Sequence, residues 1–400
     1  MPCNTGRRFH TTLAAFFVSL IFTTSFSPLI GASESGQEND DKEIVEVKLD
    51  DGEFAKGQLY LPTTNTDKPI KKLVVFVHGS GPGTYLNKRK SGKEVFNYFD
   101  YWGERFNELG VAFFSYNKRG VTMSDEPPYY DQVDREKFRK VVPHIEVNDI
   151  KTIVGRLKQH RRLADAKVTL LGGSEGTIVA AMVAEKHPDS VDALIFFGYA
   201  HDNLYDVIAW QHSGSSSMLN LNPVFDTNGD KKIDKEEFES DETGPTRMRK
   251  QMKNVRFDFL DADKDGSLTA KDFAVRTKLH HNMLMYHFGK GNEDWIWQNY
   301  FRISIPWLKE HFELEPNRSR LTRLELPIFI LHGELDPNVD VEGARDLQKR
   351  FDVLGKNNLS VHTFADHEHN LNFSHWIQTG EMSKGVAKIF EIVDDLKFEN

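Results

Sequence analysis

The chain has 400 residues, with 51 Lys+Arg against 60 Asp+Glu and a formal net charge of −9. That acidic balance excludes nucleic-acid binding by bulk phosphate neutralisation, and 39% hydrophobic with 28% charged residues excludes a disordered chain. One cysteine, Cys3, excludes a disulfide framework, a cysteine zinc site and an iron–sulfur cluster.

The first element in chain order is a leader. Arg7 and Arg8, the apolar run at 13–22 and the small pair Gly31-Ala32 pattern as a secretory signal peptide over residues 1–32. The run is short for a bilayer span of about 20 apolar residues. The mature chain is expected in the periplasm or outside the cell, without a stable membrane span and within reach of extracellular calcium. Residues 44–49 and 58–61 pattern as a hairpin around Asp51-Gly52. The apolar run 73–77 (LVVFV) marks a strand buried on both faces. Alternation then predicts helix 96–109 ending at Gly110, strand 111–116, helix 144–160, strand 167–171, helix 177–186 and strand 193–197. It breaks near Gly198 and resumes with strand 327–331, helix 341–354, strand 359–364 and a last helix over 384–398. This order predicts an α/β fold with a mostly parallel sheet and helices on both faces. Residues 200–320 are predicted as an insertion over the sheet, dividing the core into 33–199 and 321–400.

The chemistry-bearing residues fall at strand ends. Gly172-Gly173-Ser174-Glu175-Gly176 lies between a strand and an alanine-rich helix, where small residues permit a tight turn that exposes the Ser174 hydroxyl. His78-Gly79-Ser80-Gly81-Pro82 ends the LVVFV strand. Its glycines admit backbone N–H groups to an oxyanion, and the Ser80 and Glu175 amides are the expected donors. His78 itself is read as structural. Glu334 and Asp336 follow strand 327–331; Asp336 is the expected acid orienting an imidazole, with Glu334 as the alternate. His367 and His369 follow the next strand; His369 is the expected base, with His367 as the alternate.

The segments HGSGP, GGSEG, GELD and DHEHN, with Tyr116-Asn117-Lys118-Arg119-Gly120, resemble the α/β-hydrolase superfamily of serine hydrolases. The likeness covers about residues 44–200 and 321–400 and is nearest to esterase and serine-aminopeptidase-like branches. It implies an α/β-hydrolase fold, a Ser-His-Asp triad and two-step hydrolysis of an ester, thioester or amide through an acyl-enzyme. The implied substrate is a small ester or a peptide-like molecule. The competing readings are an aminopeptidase or acyltransferase of the same fold, and a catalytically inactive calcium-dependent binding protein built on it.

Within the insertion, residues 226–237 fit a twelve-residue EF-hand loop: Asp226, Asn228, Asp230, the Lys232 carbonyl, Asp234 and Glu237 stand at ligand positions. Residues 261–272 form a second loop, with Asp261, Asp263, Asp265, the Ser267 carbonyl, Thr269 and Asp272. The two in register resemble an EF-hand pair over about 222–275, with Ile233 and Leu268 where paired loops meet, and imply calcium. Each loop departs from the pattern. Lys231 stands where glycine makes the sharp turn, and Asp272 replaces the last glutamate, so weak affinity of about 10⁻⁴–10⁻³ M is expected. Trp210, Met283, Met285, Tyr286, Trp295, Trp297, Tyr300 and Trp307 are expected either to line an acyl pocket or to form the insertion's core. His280-His281 and His287 lack the carboxylate spacing of a zinc site.

Overall fold

The computed structural model describes residues 42–398, apart from 64–67, 92–93, 125, 127–131, 241–246 and 253. The leader expected at 1–32 lies outside the described residues.

Eight strands form the main sheet: β1 (Lys42–Lys48), β2 (Phe54–Tyr60), β3 (Lys72–Val77), β4 (Ala112–Tyr116), β5 (Lys167–Gly173), β6 (Ala193–Phe197), β7 (Ile328–Gly333) and β8 (Leu359–Phe364). Their spatial order is β1-β2-β4-β3-β5-β6-β7-β8. The β1–β2 hairpin and the β2–β4 pair are antiparallel. From β4 through β3, β5, β6 and β7 to β8 every pairing is parallel. Parallel neighbours need crossovers, supplied by α1 (Tyr98–Glu108), α2 (Pro143–Leu157), α3 (Gly176–Lys186) and α4 (Val341–Leu354). Two further helices follow β8: α5 (Phe373–Thr379) and α6 (Lys384–Asp395).

The period of two in β3 distributes its residues between two apolar layers. Leu73, Val75 and Val77 face α2, α3 and α4, while Val74 and Phe76 face α1 and α6. Both sets are buried, which explains why the run shows no polar alternation. Each such side chain contributes about 1.5–3 kcal/mol on burial.

The elements depart from the sequence expectation in several places, of which three bear on the layer of α1 and α6. Residues 94–97 pair with 88–91 in a small antiparallel ribbon, so the helix expected from 96 begins at Tyr98. Helix α5 has no counterpart among the expected elements, because it is one short segment between Gly380 and a turn at Asn372, without two turns of apolar period. The last helix stops at Asp395.

Between β6 and β7, which are adjacent in the sheet, the chain leaves and returns as a helical insertion. Its helices Leu204–Gln211, Ala270–Gly289, Glu293–Asn299 and Ile305–Glu313 bury Ile208, Leu284, Ile296, Trp307 and Leu308 together with Val142 and Val339 of the core. A second cluster of Leu221, Phe225, Ile233, Phe257, Leu268 and Phe273 lies beneath the two acidic loops. Residues Ile233–Asp234 and Ser267–Leu268 pair antiparallel, with Ile233 opposite Leu268. Among the described residues no helix is long and apolar enough to cross a membrane.

Candidate active site

The turn between β5 and α3 is forced tight by contact. A Cβ on Gly172 would stand 2.6 Å from the Gly176 carbonyl oxygen, and one on Gly176 would stand 2.1 Å from that of Val77. Ser174, between them, has φ 56°, a left-handed conformation that costs a non-glycine residue about 1–2 kcal/mol. Its amide donates to the Phe197 carbonyl (3.0 Å), and its carbonyl accepts from the Thr177 amide (2.9 Å) and hydroxyl (2.7 Å). These bonds hold the strained residue at the N-terminus of α3. The loop after β3 passes alongside: a Cβ on Gly79 would lie 3.3 Å from the Ser174 Cβ. Among the described residues nothing accepts from the Ser80 or Glu175 amide.

Asp336 follows β7 and is completely buried. Its Oδ2 accepts from His369 Nδ1 at 2.7 Å and lies 3.2 Å from His332 Nε2; its Oδ1 accepts from the amides of Asn338 (2.8 Å) and Val339 (3.1 Å). Burial alone would raise this carboxyl, but His369 and His332 outweigh it and hold the group well below the usual carboxylate range. Burial likewise opposes charge on His369, yet the Asp336 carboxylate prevails and raises it above the ordinary imidazole value. The His369 ring lies against Gly198, where a Cβ would come within 2.5 Å of Cε1. Gly198 directly follows Phe197, whose carbonyl holds the Ser174 amide, so the imidazole and the nucleophile turn meet at the end of β6.

The alternates are engaged elsewhere. His367 Nε2 accepts from the Gly385 amide at the start of α6 (3.1 Å), and burial lowers its basicity. Glu334 accepts from Arg345 (2.6 Å) and Thr363 (2.8 Å). His78 is buried, donates Nε2–H to the Tyr116 carbonyl (2.7 Å) and is pushed down to about 3 by burial and Lys118, which leaves it neutral.

Two side-chain roles near the site carry no clear sequence signal. His332 touches the buried acid from four residues upstream, on the same strand end. The Glu175 side chain is also completely buried: its Oε1 accepts from Trp307 Nε1 (2.6 Å) and His311 Nε2 (2.7 Å), and Lys118 Nζ lies 3.6 Å from Oε2. The only trace in sequence was a glutamate at the head of an apolar helix; its partners lie far along the chain. Of the aromatic and methionine cluster, Trp307 is core and Met283 and Tyr286 are exposed, while Trp210 lines a cleft of about 320 Å³ between helix Leu204–Gln211 and α4.

The two acidic loops are built from their own hydrogen bonds. Asp226 accepts from the Gly229 and Lys231 amides (2.7 and 2.9 Å), Asn228 from Asp230 (2.8 Å), Asp230 from Lys232 (2.9 Å), and Glu237 from Thr227, Asn228 and Asp234. Asp234 accepts from the Glu237 amide in a capping box. In the second loop Asp261 accepts from Gly266 (3.0 Å), Asp263 from Asp265 (3.2 Å), Asp265 from Ser267 (2.9 Å), and Asp272 from Ala262 and Thr269 (both 2.8 Å). One carboxylate oxygen from each of Asp261, Asp263 and Asp265 lies within 4.8 Å of the others. Asp261 is nine-tenths buried and its Oδ1 has no hydrogen-bond partner.

Residues 72–375 match the family model described as alpha/beta hydrolase fold. No curated protein matches the chain. Among solved structures, the chain is similar to a thermostable carboxyl esterase from Bacillus coagulans in complex with glycerol (15% identity, TM-score 0.48, covering 89% of this chain and all of that one). It is also similar to Est1E from Butyrivibrio proteoclasticus with ferulic acid bound (16%, TM-score 0.43, 88% and 96%). A third likeness is to a Mycobacterium tuberculosis puromycin-hydrolyzing peptidase (13%, TM-score 0.46, 87% and 41%).

Proposed function

The chain belongs to the alpha/beta hydrolase fold family, and on that premise we propose that it is an exported serine hydrolase cleaving an ester, thioester or amide bond. The observation that carries the reading is the Asp336–His369 hydrogen bond, at the same end of the sheet as the strained Ser174 turn. His369, with Nδ1–H committed to Asp336, keeps Nε2 free to take the Ser174 proton as Oγ attacks a carbonyl carbon. The ionised Asp336 stabilises the imidazolium formed in that step. The Ser80 and Glu175 amides receive the oxyanion. The imidazolium then protonates the leaving group, and water, activated by the same imidazole, cleaves the acyl-enzyme.

The donors of the two loops fit a hard divalent cation. They are oxygens throughout, and the buried, unpartnered Asp261 Oδ1 calls for a positive charge. Asp226, Asn228, Asp230, the Lys232 carbonyl, Asp234 and Glu237 would hold one calcium ion; Asp261, Asp263, Asp265, the Ser267 carbonyl, Thr269 and Asp272 would hold a second. Bound calcium supplies charge neutralisation that stiffens the loops and the helices leaving them. Removal of residues 1–32 on export would deliver the chain where calcium is millimolar.

Hydrolysis of a p-nitrophenyl ester panel by residues 33–400, with calcium or chelator and beside Ser174→Ala, tests both parts. Turnover lost by at least about 10³-fold in Ser174→Ala is expected. Turnover surviving that substitution overturns the serine mechanism. A melting temperature indifferent to calcium overturns the metal reading.

A further inference from the structure

We propose that Glu175 is a positioning residue that ties the insertion to the nucleophile turn, so that helix Ile305–Glu313 sets the placement of the amide beside Ser174. The inference rests on the serine-hydrolase reading above.

Glu175 is the residue directly after Ser174, and its backbone N–H, like that of Ser80, has no acceptor among the described residues. Its side chain is completely buried. There Oε1 takes two short, directional bonds from a single helix of the insertion, Trp307 Nε1 at 2.6 Å and His311 Nε2 at 2.7 Å. Bonds to an ionised acceptor are about twice as strong as neutral ones and hold direction well. Trp307 is itself locked into the insertion's apolar cluster with Ile296 and Leu308. A shift of that helix therefore reaches the residue next to the nucleophile through one side chain.

The opposite side of the carboxylate is anchored to the core. Lys118, in the turn after β4, reaches Glu175 Oε2 at 3.6 Å and Glu146 Oε1 of α2 at 3.2 Å, all three side chains being buried. One lysine thus serves two carboxylates. Burial raises the Glu146 carboxyl, while Lys118 and His311 hold Glu175 below the usual carboxylate range against burial. Packing alone does not call for this arrangement, because an apolar side chain fills a buried position without the desolvation cost of an ion. What the ion adds is fixed orientation, and in a site where a misplacement of about 1 Å costs on the order of 10²-fold in rate, orientation is the useful property.

The test uses the full mature chain. For Trp307→Phe, which deletes the N–H and keeps a ring, and for Glu175→Gln, the measurements are kcat and KM on p-nitrophenyl butyrate, the rate of fluorophosphonate labelling, and the melting temperature. His311→Ala and His311→Gln form a second pair, the glutamine retaining a donor. The expected result is a fall in kcat and labelling rate of about 10–100-fold with KM changed by less than about threefold, and partial recovery in His311→Gln over His311→Ala. Lowered melting temperature with kcat and labelling at wild-type values in Trp307→Phe and His311→Ala reduces the cluster to a structural anchor and overturns the proposal. Failure of the underlying reading is distinguishable, since turnover would then persist in Ser174→Ala.

Discussion

The end of the sheet and the insertion's acidic loops build their sites in opposite ways. At the sheet, Ser174, Asp336 and His369 come from three separate strand ends, and the Asp336–His369 bond spans 33 residues of sequence. In the loops every donor lies within a twelve-residue window, and the side chains bond the backbone of the same window. The loops even repeat each other's backbone. Gly229 and Lys231 have φ 77° and 65°, and Lys264 and Gly266 have φ 62° and 87°, so each loop holds one glycine and one lysine in the left-handed region. The sheet site needs the whole fold before it exists. The loops take their side-chain hydrogen bonds from their own residues. The two proposed activities should therefore be separable by mutation, and Glu175 links the nucleophile turn to helix Ile305–Glu313 of the insertion.

The largest effect expected on the sheet side comes from Asp336→Asn, which leaves His369 without its ionic partner. Turnover should fall by about 10⁴-fold while the calcium response of the melting temperature stays as in the wild type. The pH profile sharpens the point. Since Asp336 raises the His369 pKa, the neutral base is lost as pH falls through a value above the ordinary imidazole range. The acid limb of kcat/KM should sit there, and Asp336, held low, should not contribute a limb of its own. A residual activity in Asp336→Asn whose acid limb is unmoved would mean that another group sets it.

A smaller effect should follow chelation. With affinities of about 10⁻⁴–10⁻³ M, removing about 5 mM calcium should cost about 1–2 kcal/mol of stability for each ion lost. Calorimetry with and without chelator reads it. If kcat falls along with stability, the insertion transmits its state to the turn, as the Glu175 linkage requires of a displaced helix.

The smallest effect is local. Lys231→Gly relieves a left-handed lysine and should stabilise the calcium-bound form by up to about 1 kcal/mol, with kcat unchanged. The companion change Lys264→Gly should act alike on the second loop. Unequal gains would show that the shared backbone hides a difference in how strongly the loops hold their ion.

Much of the core was legible because its signals are local. The unbroken apolar run of β3 reports two-sided burial, helix α4 (Val341–Leu354) follows an amphipathic period, and Gly172 and Gly176 mark a turn that admits no Cβ. The ribbon of 88–91 with 94–97 and helix α5 were not legible, since both are short and depend on packing against α1 and its surroundings. For the base, two histidines two residues apart carry the same local signal. Only the path of the chain after β8 turns His369 toward Asp336 and His367 toward α6.

By itself, the sequence determined what short stretches of chain can specify: the order of strands and helices, the glycine turn that presents Ser174, and two oxygen-rich loops. Their causes are periodicity, steric volume and hydrogen bonds over a few residues. The tertiary structure alone decided which imidazole meets the acid, that His332 also touches it, and that Glu175 is gripped between Trp307 and His311 on one side and Lys118 on the other. Those are contacts between residues far apart along the chain, and they form only when the sheet and the insertion bury their apolar faces and bring such residues to one place.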